Sequence, residues 1–270
     1  MSSTNPQNHI TAHLLANNSL PVSPAWLSNF LSSQRSSIPL TALTQTALFR
    51  ILASDFKESL STSKPSVLLP VDISDPAVKE RRIPGPVPVQ VLDIDDIGTS
   101  LWSQIEAIER VERGEAVRGR EIVRTVNVGD DDNSNVAEGN GSGNGASSSN
   151  NTGNTGHPDP GLGETSSGPH RLMLQDAAGT RVVAIELKPV EGVAIGKLPI
   201  GAKMVLRNTT VARGIVLLSP ECATLLGGKI EAMDKAWREG RKARLLARVE
   251  QMERERAQRD EDDDDVIMEE

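Results

Sequence analysis

The sequence predicts an α+β protein in which a small N-terminal three-helix bundle packs with a five-stranded β-barrel. The barrel carries a long insertion between its first two strands and precedes a C-terminal helix. The apolar spacing is helical over residues 9–60 and changes to a period of two from Val87 onward. A stretch rich in glycine, serine and asparagine, residues 127–169, then separates the first predicted strand from the other four.

The composition limits the size of the folded part. The 270 residues contain 2% aromatic residues, no tyrosine, 22 glycines and 16 prolines, which predicts a sizeable unfolded fraction. A net charge of −8 argues against the whole chain binding polyanions, because phosphate contacts need lysine and arginine. Cys222 is the single cysteine, which excludes an internal disulfide and a multi-cysteine metal site. Without a signal-peptide pattern or a long apolar run, we expect an intracellular protein with no membrane association.

Residues 9–60 are predicted to form the bundle, after a disordered start over residues 1–8. Ser23 is a candidate N-cap, and Pro24 follows in the first helical turn, where its missing N–H costs nothing. Each predicted helix has one apolar face. These faces comprise Ile10, Leu14 and Leu15, then Trp26, Leu27, Phe30 and Leu31, and then Leu48, Ile51, Leu52 and Phe56.

Residues 61–85 contain four prolines and are predicted to be a connector, because proline blocks both a helix and a central strand. The barrel is predicted to comprise residues 86–126 and 170–228. In its first strand, which begins at Val87, the apolar parity switches at Leu92. Such a switch predicts a β-bulge or a strong bend, which a barrel needs in order to close.

The insertion covers residues 103–169. Its first part has a helical pattern, whereas residues 127–169 are predicted to be disordered because they cannot bury enough apolar area to offset the entropy of ordering. Two hairpins should follow. The first joins Arg171–Gln175 to Arg181–Leu187 with Gly179 in the turn, and the second joins Lys203–Asn208 to Val211–Leu218.

Ser219-Pro220-Glu221 predicts the cap of another helix, which Gly227-Gly228 ends. Residues 229–259 are predicted to be a long helix with a basic second half, and residues 260–270 an acidic disordered tail. Five strands flanked by helices suit a barrel of the OB type. An SH3-like barrel or a small sandwich would give a similar pattern.

No catalytic constellation stands out, so we expect a non-enzymatic protein without a cofactor or metal. Asp93, Asp95 and Asp96 form a carboxylate cluster, but Asp96 should point away from the other two, and we interpret the cluster as the solvent-facing side of a strand bend. His9 and His13 lack the third ligand that a zinc site needs. The predicted strands contain no phenylalanine or tyrosine, which argues against a strong single-strand binder that stacks bases.

Several segments, in order, resemble the RecQ-mediated genome instability protein family. VQVLDIDDIGTSLWSQIEAIE, residues 89–109, resembles the family's first OB strand and its aromatic-Ser-Gln motif, here Trp102-Ser103-Gln104; RLMLQDAAGTRVVAIELKPV continues it. LPIGAKMVLRNTTVARGIVLLSPECATLLGGKIEAMDKAW, residues 198–237, contains the family's Leu-Pro-x-Gly, Arg-Gly-x-x-Leu-Leu and Leu-Gly-Gly stretches. WLSNF…ALFRILASDFKESL resembles its helical bundle, so the resemblance covers roughly residues 24–237.

The resemblance implies a fungal-type subunit with one OB fold that binds topoisomerase III, a type IA topoisomerase. With a RecQ helicase in the nucleus, such a complex dissolves double Holliday junctions, and a loop after the first OB strand favours the open topoisomerase gate. We expect residues 102–124 to make the gate contact. We do not expect the second OB domain of animal relatives here. The candidate protein-binding residues are Trp102, Gln104, Ile105, Ile108, Val111, Lys203 and Arg213.

Two other binding functions stay open. A nucleic-acid-binding OB module would contact single-stranded or junction DNA through the basic part of the C-terminal helix, with Arg238, Arg241, Lys242, Arg244 and Arg248 as the candidates. Val266, Ile267 and Met268 lie between acidic residues and resemble a SUMO-interacting motif. The alternative for this stretch is a solubilising acidic tail that folds back on the basic helix.

Overall fold

Six α-helices and eight β-strands form in the residues that the computed structural model describes, which are 5–35, 37–114 and 168–268, with side chains up to residue 259. The order of elements confirms the predicted α+β class. The elements are α1 (Pro6–Asn18), α2 (Pro24–Ser32), α3 (Leu40–Leu52), α4 (Phe56–Ser59), β1 (Glu80–Ile83), β2 (Val87–Asp96), α5 (Leu101–Glu112), β3 (His170–Asp176), β4 (Arg181–Glu186), β5 (Lys203–Leu206), β6 (Thr209–Ala212), β7 (Ile215–Leu218), β8 (Ala223–Gly227) and α6 (Glu231–Met268).

Each of the first two helices starts at a polar N-cap residue that is followed by proline. Ser23 Oγ accepts a hydrogen bond from Trp26 N at 3.5 Å, and Pro24 opens α2, as predicted. Asn5 and Pro6 play the same roles in α1, because an N-cap side chain satisfies a free amide and proline needs none. The predicted disordered start over residues 1–8 is therefore wrong for residues 6–8.

The helical unit contains four helices rather than three. Asp55 Oδ1 accepts a hydrogen bond from Lys57 N at 2.8 Å, so a new N-cap separates Phe56 from the predicted third helix and places it in α4. Apolar side chains from all four helices form one core. Its fully buried members include Ile10, Leu14, Leu27, Ile51 and Phe56.

The eight strands form one curled, OB-like sheet in the order β1-β6-β7-β4-β3-β2-β5-β8. All neighbours are antiparallel except β4 and β7. The long strand β2 pairs with β5 through residues 87–90 and with β3 through residues 89–96. The register of the β2–β3 pair shifts between Val91 and Asp93, which confirms the bulge predicted at Leu92. β3 and β4 form the predicted hairpin, with Gly179 at a φ of 90°.

The second predicted hairpin is wrong. β5 pairs with β2 and β8, whereas β6 pairs with β1 and β7, so the predicted strand 211–218 is two strands with Arg213 and Gly214 in their turn. β1 lies in the predicted connector 61–85. β8 replaces the helix predicted after residues 219–221 and pairs antiparallel with β5.

The helical unit and the sheet share buried contacts. Phe56 N donates to Gln90 Oε1 at 3.0 Å, and Arg207 Nη2 donates to Ser19 Oγ at 2.8 Å. An ideal Cβ built on Gly228 would lie 2.4 Å from Leu52 O, so the end of β8 touches the backbone of α3. These contacts hold the two parts together.

The C-terminal helix differs from its predicted bounds. α6 begins at Glu231 rather than residue 229 and continues to Met268. The backbone of residues 260–268 is therefore helical, and the predicted disordered tail 260–270 is wrong over that range. Among the described residues, no helix combines the length and apolarity that crossing a membrane would require.

Candidate protein-interaction site at the start of the insertion

The insertion begins with α5, directly after β2. Asp96 Oδ1 accepts hydrogen bonds from Gly98 N at 2.8 Å and Thr99 N at 3.0 Å, which turns the chain out of the strand. Ser100 Oγ then caps α5 by accepting from Ser103 N at 3.1 Å. Trp102 therefore lies in the first turn of α5, after the end of β2.

The two ends of the insertion lie against each other. Ile97 N donates to Pro169 O at 3.1 Å. An ideal Cβ on Gly98 would lie 3.0 Å from Gly168 Cα. A side chain at position 98 would therefore push apart the two chain segments, residues 97–98 and 168–169, that form the neck of the insertion. The described end of the insertion is thus held at one place on the rim of the sheet. Residues 115–167, which include most of the predicted disordered stretch 127–169, lie outside the described residues.

Gln104 fastens α5 to the sheet. Its Nε2 donates to Asp96 O at 3.0 Å and to Thr99 O at 2.9 Å, and its Oε1 accepts from Arg241 Nη2 at 3.3 Å. The side chain is buried, so a partner protein could contact little of its surface. Gln104, a predicted protein-binding residue, is placed as an internal anchor.

The apolar face of α5 packs on α6. Ile105 is 3% exposed and forms a small core with Leu245 and Val249, against which Ile108 packs. Val111 is half-buried on the last turn. Ile105 and Ile108, two of the predicted contact residues, therefore face the protein itself, since an amphipathic helix buries its apolar stripe.

Charged groups reinforce the same helix pair. Lys242 Nζ lies 2.7 Å from Glu112 Oε2 and 3.2 Å from Glu109 Oε1. The hydrogen bonds to these two carboxylates raise the pKa of Lys242 above its usual value. α5 is therefore fixed by an apolar core, a buried glutamine and an ion-pair network.

Trp102 is the large apolar side chain that this arrangement leaves to solvent, with 61% of its surface exposed. An indole offers a large contact area with few rotatable bonds, so tryptophan is enriched where proteins bind each other. Because its helix is fixed, the ring is presented on a stable platform.

Lys203 and Arg213 do not join this site. Lys203 is fully buried, and its Nζ donates to Gln90 Oε1 at 2.9 Å. Burial lowers the pKa of Lys203 to about 7, although the nearby carboxylate of Asp55 opposes the shift. Arg213 is exposed in the β6–β7 turn, where its backbone N donates to Val78 O at 3.1 Å.

The basic residues of α6 mostly contact the protein's own carboxylates and indole. Arg238 lies 3.0 Å from Asp234, and Arg248 lies 3.5 Å from Asp95. Arg241 and Arg244 lie over Trp237, and Lys242 binds α5. These contacts give little support to the hypothesis that the basic residues of α6 form a DNA-binding surface.

Trp237 is an anchor that the sequence pattern did not single out as one. Its Nε1 donates to Asp93 Oδ1 at 2.6 Å, and Asp95 Oδ2 accepts from Arg171 Nη2 at 2.6 Å. Asp93 therefore binds α6, and Asp95 pairs with arginines of both β3 and α6, so their predicted solvent-facing role is wrong. An aromatic residue in a polar, basic helix is the signal that could have indicated this contact.

Metal binding finds no support within the described ranges, where no three histidine, cysteine, aspartate or glutamate side chains come together as ligands. The rings of His9 and His13 stack with their centres 6.2 Å apart. The side chains of Val266, Ile267 and Met268 lie outside the described residues, so the SUMO-interacting motif stays a prediction.

A helical unit joined to a curled OB-type sheet, with a helix-anchored insertion after a long strand, defines a class of binding modules. Models of one family match both parts of the chain. "RMI1, N-terminal OB-fold domain" matches residues 69–241, and "RMI1, N-terminal helical domain" matches residues 14–59. The chain belongs to the RMI1 family, which confirms the resemblance found in the sequence.

Two curated relatives support the same assignment. RecQ-mediated genome instability protein 1 of Schizosaccharomyces pombe is 27% identical over 221 residues, which is 78% of this chain and 83% of the relative. The protein of the same name from Xenopus laevis is 44% identical over 64 residues, which is 23% of this chain and 11% of the relative.

Proposed function

We propose that this chain is a non-catalytic nuclear subunit that binds topoisomerase III beside a RecQ helicase and promotes the dissolution of Holliday junctions. Membership of a family whose relatives are named for RecQ-mediated genome instability supports the helicase link. The observation that carries the proposal is the fixed helix α5, which presents Trp102 at the neck of the insertion.

The physical mechanism is a shift of population. A topoisomerase gate opens and closes, and a segment that binds only one of the two states favours it by its differential affinity. Fixing α5 before binding reduces the entropy that the contact must offset. This mechanism requires contact area at Trp102 and the insertion, and no covalent chemistry.

Co-elution with the cognate topoisomerase III on a sizing column tests the proposal, together with a decatenation assay. The first variant replaces residues 115–167 with about eight glycine and serine residues, because the 12 residues of α5 span about 18 Å that the chain must cross to return. We expect this variant to bind the topoisomerase and to have a weaker effect on decatenation, because it keeps α5 and Trp102 but lacks the rest of the insertion.

The second variant is Trp102→Ala, for which we expect weaker binding, a weaker effect on decatenation, or both. Phe49→Ala is the matched control, because Phe49 is 69% exposed on α3 and removes a similar aromatic surface elsewhere. Failure of the full-length chain to bind the topoisomerase at moderate salt would refute the proposal. Steeply salt-dependent DNA binding by the isolated chain would then favour the alternative nucleic-acid-binding module.

A further inference from the structure

A polar cleft of about 260 Å³ lies between the outer face of β2 and α6, with one side at β3. Its lining carries more positive than negative charge, although the chain as a whole has a net charge of −8. The charged residues that line it are Asp93, Asp95, Arg171, Arg241, Arg244 and Arg248. The excess of two cations marks the cleft as a place for an anion.

Two of the four arginines share one carboxylate partner. Arg171 Nη2 lies 2.6 Å and Arg248 Nη1 3.5 Å from the same carboxylate oxygen, Asp95 Oδ2. Among the described residues, neither Arg241 nor Arg244 has a carboxylate within ion-pair distance.

Within the described part of the chain, most N–H donors of these two guanidinium groups have no acceptor. Arg241 Nη2 donates to Gln104 Oε1 at 3.3 Å, and Arg244 Nη2 donates to Trp237 O at 2.8 Å. Each guanidinium has five N–H donors, so both can bind an additional acceptor in the cleft.

The guanidinium groups of Arg241 and Arg244 both lie over the ring of Trp237. Their centres lie 5.8 Å (Arg241) and 5.5 Å (Arg244) from the centre of its ring, within the range of cation–π attraction. Burial lowers the pKa of Arg241, the charge of Arg244 acts in the same direction, and Asp96 and Asp95 oppose it. A bound anion would relieve the unfavourable closeness of the two cations.

We propose that this cleft binds the carboxylate side chains of an acidic peptide segment. Arginine and carboxylate form bidentate, charge-assisted hydrogen bonds. The volume of about 260 Å³ is below the range of about 300–1,000 Å³ that drug-sized ligands occupy, so it suits one or two side chains.

DNA fits the cleft less well than an acidic peptide. Asp93 and Asp95 along the wall, with the acidic net charge, would repel an extended polyanion. Trp237 is 9% exposed and lies under the two arginines. It therefore offers no free ring face on which a base could stack, as single-strand binders require.

The test measures binding of a fluorescein-labelled peptide, Gly-Asp-Glu-Asp-Glu-Gly, to the full-length chain by fluorescence anisotropy. We expect Arg241→Gln and Arg244→Gln each to weaken binding about tenfold, since each removes a charge-assisted hydrogen bond. Arg254→Gln is the matched control, because Arg254 lies on the same helix, pairs with Glu250 and does not line the cleft. We expect it to leave binding unchanged, and circular dichroism verifies that each variant is folded.

A gain of affinity provides a second test that loss of folding cannot imitate. Asp95→Asn should tighten peptide binding several-fold, because it frees Arg171 and Arg248. Asp72→Asn changes the net charge equally at the remote Asp72–Arg81 pair and should have no such effect.

Three results would overturn the proposal. The first is an equal loss of peptide affinity in Arg244→Gln and Arg254→Gln. The second is an equal gain of peptide affinity in Asp95→Asn and Asp72→Asn. The third is tighter binding of labelled oligothymidine than of the peptide, with the same dependence on Arg241 and Arg244. The last would assign the cleft to nucleic acid. No topoisomerase is present in these assays, so their outcome is independent of the proposed function.

Discussion

The ammonium group of Lys203 lies 4.6 Å from the centre of the Phe56 ring, so a buried cation joins the sheet to the helical unit. Lys203 also donates to Gln90 Oε1, while Gln90 Nε2 donates to Asp55 Oδ1 at 2.9 Å. Burying a charge is costly unless it is hydrogen-bonded and paired. This contact therefore makes the association of the two parts sensitive to protonation.

The free energy of unfolding should rise with pH between about 7 and 10.5, because the pKa of Lys203 falls on folding from its usual 10.5 to about 7. Over that window the unfolded chain binds more protons than the folded chain, which favours folding as pH increases. Urea unfolding at pH 7 and pH 9.5 measures the rise. Lys203→Met should reduce it, whereas Lys235→Met, at an exposed site on α6, should not. An undiminished rise in Lys203→Met would contradict the prediction.

Ile105→Ala should lower the free energy of unfolding by about 2–5 kcal/mol, because it leaves a cavity between α5 and α6. Trp102→Ala, three residues earlier and largely exposed, should change it by less than about 0.5 kcal/mol. Chemical denaturation of both variants measures these two changes in the free energy of unfolding. The difference between them distinguishes the buried face of α5 from its exposed face. Similar losses in both would show that Trp102 is part of the core.

Gln104→Ala should cost about 1–3 kcal/mol, because it removes the donor to the carbonyl group of Asp96 in a buried hydrogen bond and to that of Thr99 in a partly buried one. We also expect it to weaken topoisomerase binding indirectly, by loosening the helix that carries Trp102. Thermal unfolding measures the loss of stability, and co-elution measures the loss of topoisomerase binding. If binding fell while stability stayed unchanged, Gln104 would be a direct contact residue, as the sequence first predicted.

Two adjacent glycines allow a matched comparison. An ideal Cβ on Gly228 would lie 2.4 Å from Leu52 O, whereas one on Gly227 would meet nothing within 4 Å. Both have a positive φ, so each alanine substitution should cost about 1–2 kcal/mol in backbone strain. Gly228→Ala should cost more, because it also pushes β8 away from α3. Equal losses of unfolding free energy in the two variants would argue against a close contact between these elements.

The sequence by itself determined the features that depend on neighbouring residues. Ser23 and Pro24 set the start of α2, the parity switch at Leu92 marked the bulge, and Gly179 marked the turn of the first hairpin. Each follows from local hydrogen bonding, side-chain periodicity or backbone conformation, which a short window of residues contains. The ordered family motifs added the assignment of the sheet to the OB type.

Only the tertiary structure decided the contacts between distant residues. Asp93 and Trp237 are 144 positions apart and Gln90 and Lys203 are 113 apart, so no periodicity links them. The pairing of β5 with β8, rather than with the next strand along the chain, likewise joins segments that no local pattern relates. Packing of α5 on α6 then decided the candidate site, because it buries Ile105 and leaves Trp102 exposed.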